Sequence, residues 1–311
     1  METREPIVSA EWLHSNLANS DIKVLDASWY MPQEKRNPLE EYQVAHIPGA
    51  VFFDIDQISD PTTDLPHMLP LEEAFAAAVS VLGIQNTDSV IIYDGKGLFS
   101  APRVWWTFQI FGHNKVWVLN GGLPHWLKAG YEVEATTPEN VTLRATAVRK
   151  AIKSIYHGQY VGPATFKTNF RPQMIWGIEQ RLSMFQVKQN MTDKTHQLLD
   201  ARSKGRFDGV APEPREGIKS GHIPESKCVP FTEMVDSSSL LLSEDELHKK
   251  FLQAGVSLDN PIVASCGSGM TACILCVGLH RLGKLDVPVY DGSWTEWATQ
   301  PGNPIHTLAT D

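Results

Sequence analysis

The apolar residues of this chain fall into short runs that alternate with longer amphipathic or wholly apolar stretches. Short apolar runs bounded by turn residues are typical of strands buried on both faces of a parallel sheet, and longer periodic stretches are typical of helices. The first half therefore predicts strands at residues 23–26, 50–53, 90–93 and 116–119. It also predicts helices over residues 71–82 and 102–111.

The second half shows the same alternation. It predicts strands at residues 197–200, 228–230, 262–265 and 287–290, and helices over residues 243–254 and 270–282. The second of these helices is apolar almost all round, so we expect it to be buried. Alternating strands and helices favour an α/β fold, in which each half forms a mainly parallel sheet with helices on both faces.

Four short motifs recur along the chain at a nearly constant offset of 171 to 176 residues. The paired positions are Asp26 and Asp200, His46 and His222, Asp94 and Cys266, and Trp126 and Trp297. This spacing indicates a tandem duplication of a domain of ordinary size rather than a short solenoid repeat. We predict a first domain over residues 1–134, a linker without a clear period over 135–171, and a second domain over 172–311.

One cysteine stands where a predicted strand meets a glycine-rich turn. Residues 265–276 read S-C-G-S-G-M-T-A-C-I-L-C, so Cys266 opens a turn that leads into a helix. Backbone N–H groups converge at such a turn and stabilise a thiolate. The pKa of a cysteine thiol, about 8.5 when it is free, can fall to roughly 3.5–7.5 in such a setting. We predict that Cys266 is a nucleophile. Because the first copy carries Asp94 at this position, we expect the second copy to be the catalytic one.

Composition narrows the classes of partner and compartment. A chain of 311 residues that is 42% hydrophobic suits two globular domains, and four cysteines are too few for a disulfide framework. The net charge of −9 argues against nucleic acid or an anionic membrane as the main partner, and no run reaches the length of a membrane span. The acidic start is unlike a signal or transit peptide. We therefore expect a cytoplasmic protein, or a mitochondrial one if an upstream presequence is missing.

The duplication and the turn together resemble the two-domain sulfurtransferases of the rhodanese superfamily. The most specific motif runs from Cys266 to Ala272, C-G-S-G-M-T-A, and is similar to the neutral loop of the 3-mercaptopyruvate sulfurtransferase branch. The thiosulfate branch usually has arginine and lysine after the cysteine, where a cationic loop assists a dianionic donor. The phrase from Arg202 to Gly209 is most similar to plant members. The resemblance implies two tandem rhodanese-like domains of the α/β class, the first non-catalytic and the second catalytic.

The resemblance also implies how a sulfur donor is bound. It assigns substrate binding to Arg206 and Arg215, whose planar guanidinium groups match a carboxylate and a keto oxygen. Further donor contacts are assigned to the loop residues Gly267, Gly269, Met270 and Thr271. No metal and no organic cofactor is implied.

A proton relay follows from the same resemblance. It pairs Asp56 with His67, and His67 with Ser268 of the loop, so that a carboxylate orients an imidazole that in turn orients a hydroxyl. The expected reaction moves the sulfur of 3-mercaptopyruvate onto Cys266 as a persulfide and releases pyruvate. The sulfur then passes to an acceptor such as thioredoxin, glutathione or cyanide.

Other interpretations of these residues are open. Phosphatases with a similar loop need an arginine six residues after the cysteine, where this chain has Ala272. Cys273 and Cys276 form a C-x-x-C inside an apolar helix, which favours two core cysteines over a redox pair, and a zinc site that includes His280 lacks a fourth ligand. Two further alternatives are that the protein is a non-catalytic sulfur carrier, or that it is a sulfurtransferase whose main donor is thiosulfate.

One departure from the repeat concerns stability. Glu225 follows His222-Ile223-Pro224 at the position where the first copy has Gly49. If this turn requires a positive φ, a residue other than glycine costs roughly 1–2 kcal/mol there.

Overall fold

The computed structural model describes residues 5–159, 161–177 and 180–308, with side chains throughout except at 180–183. The chain forms two compact units that divide between Arg171 and Pro172. Two short segments are assigned to the other unit than their neighbours in sequence. Residues 64–68 group with the second unit, and residues 238–240 group with the first. Each unit contains its own five-stranded sheet.

The first unit is an alternation of strands and helices. Its strands are β1 (Ile7–Val8), β2 (Ile22–Asp26), β3 (Val51–Phe52), β4 (Ser89–Tyr93) and β5 (Val116–Leu119). Its helices are α1 (Ala10–Asn16), α2 (Pro38–Val44), α3 (Glu72–Val81), α4 (Ala101–Ile110), α5 (Gly122–Lys128) and α6 (Pro138–Tyr156). The strand order is β1-β5-β4-β2-β3, and every neighbouring pair is parallel. The central strand β4 is buried from Val90 to Tyr93, because both of its faces are apolar and covered.

The second unit repeats this architecture. Its strands are β6 (Ile175–Trp176), β7 (Gln197–Asp200), β8 (Lys227–Cys228), β9 (Ile262–Ser265) and β10 (Val289–Tyr290). Its helices are α7 (Gln180–Asp193), α8 (Lys204–Phe207), α9 (Glu244–Gln253), α10 (Ala272–Arg281) and α11 (Ser293–Thr299). The strand order β6-β10-β9-β7-β8 matches that of the first unit strand for strand, again with parallel pairs. The predicted α/β fold of two duplicated parallel sheets is confirmed.

The sequence patterns missed one edge strand in each unit. These strands, β1 (Ile7–Val8) and β6 (Ile175–Trp176), are only two residues long. Each pairs with the last strand of its unit in chain order, β1 with β5 and β6 with β10. A two-residue strand has too little length for a periodic pattern, and its conformation is fixed by its neighbour in the sheet. The predicted helix over 270–282 begins at Ala272, since the residues before it form the turn after β9.

The segment predicted as a linker without a clear period, residues 135–171, contains the long helix α6. The helix buries four apolar residues, Val141, Val148, Ala151 and Ile152, and packs against α3. Only four of its 19 residues are buried, so the narrow apolar stripe is hard to recognise before the partner helix is known.

Glu225 adopts the strained conformation that the repeat predicted. Its φ is +65°, against +75° for Gly49 at the matching turn of the first copy. The Glu225 carboxylate pairs with Lys194 at 2.8 Å, but the two side chains are 58% and 63% exposed, so this pair contributes only about 0–1 kcal/mol. Backbone strain of roughly 1–2 kcal/mol is therefore the larger effect.

Changing Glu225→Gly is expected to raise the free energy of unfolding by about 0.5–1 kcal/mol, after the larger chain entropy of glycine is allowed for. Urea unfolding of the second unit, followed by its tryptophan fluorescence, measures the change. The reverse exchange Gly49→Glu is the matched control, and it should destabilise the first unit. A less stable Glu225→Gly variant would show that the Lys194 pair outweighs the strain.

Candidate active site

The predicted nucleophile lies at the carboxyl end of the central strand of the second sheet. Cys266 follows β9 directly, its side chain is buried, and its thiol is not in a disulfide. Residues 266–271 form the turn that leads into α10. Parallel α/β sheets place their ligand sites at this edge, because strand ends and helix N-termini meet there.

A single hydroxyl holds the two ends of this turn together. Ser293 Oγ accepts the backbone N–H of Cys266 and that of Gly269, each at 3.1 Å, and donates to the carbonyl of Tyr290 at 2.7 Å. Ser293 is fully buried and has a φ of +50°. A serine held at positive φ is strained, so we expect the conformation to be retained for what the hydroxyl binds.

The first turn of α11 engages the carbonyl groups of the same loop. Trp294 N–H donates to the carbonyl of Cys266 at 3.0 Å. Thr295 donates to the carbonyl of Gly267 twice, from its N–H at 2.9 Å and from its hydroxyl at 2.6 Å. The loop is thus fixed through its N–H groups by Ser293 and through its carbonyls by the residues that follow. This arrangement leaves little freedom for the position of the Cys266 backbone.

The corresponding loop of the first unit already holds an anion. Asp94, which the repeat pairs with Cys266, is buried, and its Oδ2 accepts three backbone N–H groups at 2.8–2.9 Å, from Phe99, Ser100 and Ala101. Its Oδ1 accepts a fourth, from Lys96, at 2.9 Å. A turn of this shape therefore stabilises negative charge through backbone donors alone. With a thiol at the same position, the turn suits a thiolate or a persulfide anion.

Of the two predicted donor-binding arginines, the structure brings Arg206 against the Cys266 loop. Arg206 lies on α8, and its Nη2 is 3.0 Å from the position that a Cβ on Gly267 would occupy. A side chain at position 267 would therefore displace the end of Arg206 by a few tenths of an ångström. Arg215 is half-buried in the same unit.

The other predicted site residues divide between the two units. Ser268, Met270 and His67 are buried and group with the second unit, although His67 comes from the first half of the sequence. Asp56 groups with the first unit, where it is exposed and accepts the indole N–H of Trp29 at 2.9 Å. The remaining loop residues, Gly269 and Thr271, lie in the turn, and Gly269 has a φ of +74° that favours glycine. The roles assigned to all of these residues stay predictions.

The other cysteines have properties unlike those expected of a nucleophile. Cys273 and Cys276 are buried on α10, which confirms their interpretation as core residues. Cys228 is half-buried, and burial raises the pKa of its thiol to about 12. A thiol with a raised pKa carries little thiolate at neutral pH and reacts slowly.

Sequence reasoning missed two residues at this site, Ser293 and Glu213. The signal for Ser293 was present in the repeat, because the first copy has Gly122 at the matching position, with a nearly identical φ of +52°. A serine in place of a glycine at positive φ points to a function for the hydroxyl. Glu213 pairs with Arg206, and nothing in the linear sequence indicates that contact.

Changing Ser293→Ala is expected to slow persulfide formation about tenfold and to lower the free energy of unfolding by roughly 2 kcal/mol, since two buried N–H groups lose their acceptor. Ser293→Gly should be less destabilised, because glycine relieves the positive φ. Rapid-quench mass spectrometry measures the rate of persulfide formation. Ser226→Ala, which removes a hydroxyl bonded to Ile223 in a separate turn, is the control. A wild-type rate in Ser293→Ala would refute this role.

Comparison with known proteins agrees with the geometry. The family model for the rhodanese-like domain matches residues 9–129 and 183–300. The thiosulfate/3-mercaptopyruvate sulfurtransferase 1, mitochondrial, of Arabidopsis thaliana is 62% identical over 99% of this chain and 80% of its own length. The human 3-mercaptopyruvate sulfurtransferase is 41% identical over 94% of this chain and 91% of its own.

A solved structure is also similar. The crystal structure of SseA from Escherichia coli, described as a 3-mercaptopyruvate sulfotransferase with the rhodanese fold, superposes with a TM-score of 0.76 at 37% identity. The match covers 93% of this chain and 99% of SseA. In the described part of this chain, no helix is long and apolar enough to cross a membrane. The predicted family and sulfurtransferase function are confirmed, and the chain belongs to the rhodanese family as a sulfurtransferase with two tandem rhodanese-like domains.

Proposed function

We propose that this protein transfers the sulfur of 3-mercaptopyruvate through a persulfide on Cys266 to a thiol or to cyanide, and releases pyruvate. The observation that carries the proposal is the approach of the Arg206 guanidinium to Gly267, beside a loop whose own side chains are uncharged. A cation at the edge of a neutral loop suits a donor whose negative charge lies on a carboxylate away from its sulfur.

The first half-reaction begins with the donor carboxylate and keto group on Arg206 and Arg215. The Cys266 thiolate attacks the donor sulfur, so that an S–S bond forms while the bond between sulfur and C3 of the donor breaks. The electron pair of the broken bond leaves with carbon, as the enolate of pyruvate. A proton taken up at that carbon gives pyruvate. If the proton comes from the donor thiol, the persulfide is left as an anion.

Two groups of residues serve this step. The backbone N–H groups of residues 267, 268, 270 and 271 are our proposed donors to the thiolate and then to the persulfide anion, by analogy with the matching loop of the first unit, whose N–H groups bind the Asp94 carboxylate. The relay of Ser268, His67 and Asp56 is our proposed route for the proton, and it rests on the family resemblance. Loss of relay residues should slow donor turnover and leave the acceptor step intact.

The second half-reaction returns the enzyme to its starting state. The acceptor attacks the outer sulfur, the S–S bond breaks, and Cys266 leaves as the thiolate. Cyanide becomes thiocyanate, and a thiol such as glutathione or thioredoxin becomes a persulfide. The two steps share no ternary complex, so ping-pong kinetics are expected.

Thiosulfate is the second candidate donor, because the Arabidopsis relative at 62% identity is named for both donors. Intact mass spectrometry after incubation with each donor distinguishes the two. Faster gain of one sulfur atom from 3-mercaptopyruvate supports the proposal. A gain of sulfur from thiosulfate alone would overturn the assignment of 3-mercaptopyruvate as the donor. No gain of sulfur from either compound would favour a non-catalytic sulfur carrier.

For the compartment we propose the cytoplasm, with the mitochondrion as the alternative. None of the described cysteines is in a disulfide, which suits a reducing compartment. The comparisons do not favour the cytoplasm, since the name of the Arabidopsis relative places that protein in mitochondria. Imaging of the product of the full natural transcript, tagged at its C-terminus, separates the two locations.

A further inference from the structure

A buried carboxylate bridges two arginines behind the Cys266 loop. Glu213 Oε1 accepts from Arg202 Nη1 at 2.7 Å, and Glu213 Oε2 accepts from Arg206 Nε at 3.1 Å and also from Arg206 Nη2. The side chain of Glu213 is 3% exposed and that of Arg202 is 1% exposed. A carboxylate this deeply buried requires both partners, because an unpaired charge at that position would be strongly unfavourable.

Four of the five N–H groups of Arg202 are engaged within the protein, and its side chain is only 1% exposed, so it is not accessible to a substrate. Its Nε and Nη2 donate to the Asp200 carboxylate, and Nη2 also donates to the carbonyl of Gly221 at 2.7 Å. Its guanidinium lies 4.3 Å from the centre of the Trp294 ring. Arg202 therefore fixes the position of Glu213, and Glu213 in turn fixes Arg206.

The bond pattern determines which edge of Arg206 is available. A guanidinium presents a side edge, made of Nε–H and one Nη2–H, and an end edge, made of Nη1–H and the other Nη2–H. Glu213 Oε2 occupies the side edge. The end edge stays available, and Nη2 is the atom that approaches Gly267. Arg206 itself is 23% exposed, which leaves this edge accessible to a small ligand.

We infer that Glu213 is a positioning residue: it holds the side edge of Arg206, so that the end edge binds the carboxylate of the sulfur donor. The two parallel N–H groups of that edge match the two oxygens of a carboxylate, so the donor is received in one orientation. Without Glu213, the long Arg206 side chain would sample other rotamers, and the donor would have to order it on binding. This inference rests on the proposed function, because it takes the donor to be an α-keto carboxylate.

The test compares Glu213→Gln with the control Glu216→Gln, an exposed glutamate three residues away. A glutamine has a single side-chain oxygen, so it cannot accept from both arginines, and Arg206 loses its fixed orientation. We expect kcat/KM for 3-mercaptopyruvate to fall about 10- to 100-fold. In ping-pong kinetics kcat/KM for cyanide reports only the persulfide step, so it should stay within about twofold. An equal fall in both values would overturn the inference, since it indicates general damage.

A double-mutant cycle tests whether Glu213 acts through Arg206. In an Arg206→Lys background the two-edged guanidinium is absent, so adding Glu213→Gln should cause little further loss of kcat/KM for the donor. Full additivity of the two changes would contradict the inference. If Glu213→Gln fails to fold by circular dichroism, Glu213→Asp replaces it, because a shorter carboxylate keeps the charge but cannot span both arginines.

Pyruvate binding keeps this test separate from the proposed function. Pyruvate carries the carboxylate and keto group but no sulfur, so calorimetric titration measures the Arg206 edge without turnover. We expect at least about tenfold weaker pyruvate binding to Glu213→Gln than to the wild type or to Glu216→Gln. Equal binding would overturn the inference. A wild type that gains no sulfur from 3-mercaptopyruvate would instead refute the proposed function.

Discussion

Replacing Cys266 with serine is expected to abolish both persulfide formation and turnover, by at least about a thousandfold. A serine hydroxyl is a weak nucleophile toward sulfur, and it is almost wholly protonated at neutral pH, whereas cysteine reacts as the far more nucleophilic thiolate. Intact mass spectrometry after incubation with 3-mercaptopyruvate should show a gain of one sulfur atom on the wild type and none on the variant.

The matched control for this prediction is Cys228→Ser. Cys228 is half-buried in the same unit, and burial raises the pKa of its thiol to about 12, so its removal should leave the mass gain unchanged. Turnover in Cys266→Ser would refute Cys266 as the nucleophile. Loss of the mass gain in Cys228→Ser would mean that sulfur passes through more than one cysteine.

The second large effect is expected in the first unit, on stability. Changing Asp94→Asn replaces a buried carboxylate that accepts four backbone N–H groups, three on Oδ2 and one on Oδ1. An asparagine oxygen can occupy only one of these positions, so its NH₂ group must face backbone donors at the other. We expect the free energy of unfolding to fall by about 2–4 kcal/mol.

Hydrogen exchange is the measurement suited to this prediction, since a chain of two units can unfold in more than one step. The amides of residues 99–101 should lose protection in Asp94→Asn. Asp60→Asn is the control, because the Asp60 carboxylate also accepts a backbone N–H, from Thr62, but does so in an exposed turn. Unchanged protection at residues 99–101 would show that the turn holds its shape without the anion.

These two predictions describe the same loop with two different occupants. In the first unit the side chain of Asp94 itself supplies the carboxylate that accepts the backbone N–H groups of the turn. In the second unit the short, polarisable side chain of Cys266 takes that position. One difference between the copies is thus expected to separate a structural turn from a reactive one.

Much of this molecule could be predicted from the sequence. The repeat located both sheets, and the positions of β4 and β9 followed from apolar runs whose two faces are both buried. The exchange of Asp94 for Cys266 between the copies predicts that the second copy is the catalytic one. Even the positive φ of Glu225 was expected, because the first copy has a glycine in the same turn.

The sequence could not supply the contacts made between segments far apart in the chain. Helix α6 owes its place to a narrow stripe against α3, and the two-residue edge strands exist only because β5 and β10 pair with them. The hydroxyl of Ser293 meets the N–H groups of Cys266 and Gly269 across more than twenty residues.

The sequence by itself determined the fold class and the duplication and predicted the nucleophile, because periodicity and residue type are local properties that repeat in both halves. The tertiary structure alone decided how the predicted nucleophile, Cys266, and the predicted donor-binding residue, Arg206, are held. Ser293 fixes the Cys266 turn, and Glu213, anchored by Arg202, fixes the available edge of Arg206. Hydrogen bonds have direction as well as partners, and their directions are set only when the chain has folded and brought distant groups within about 3 Å.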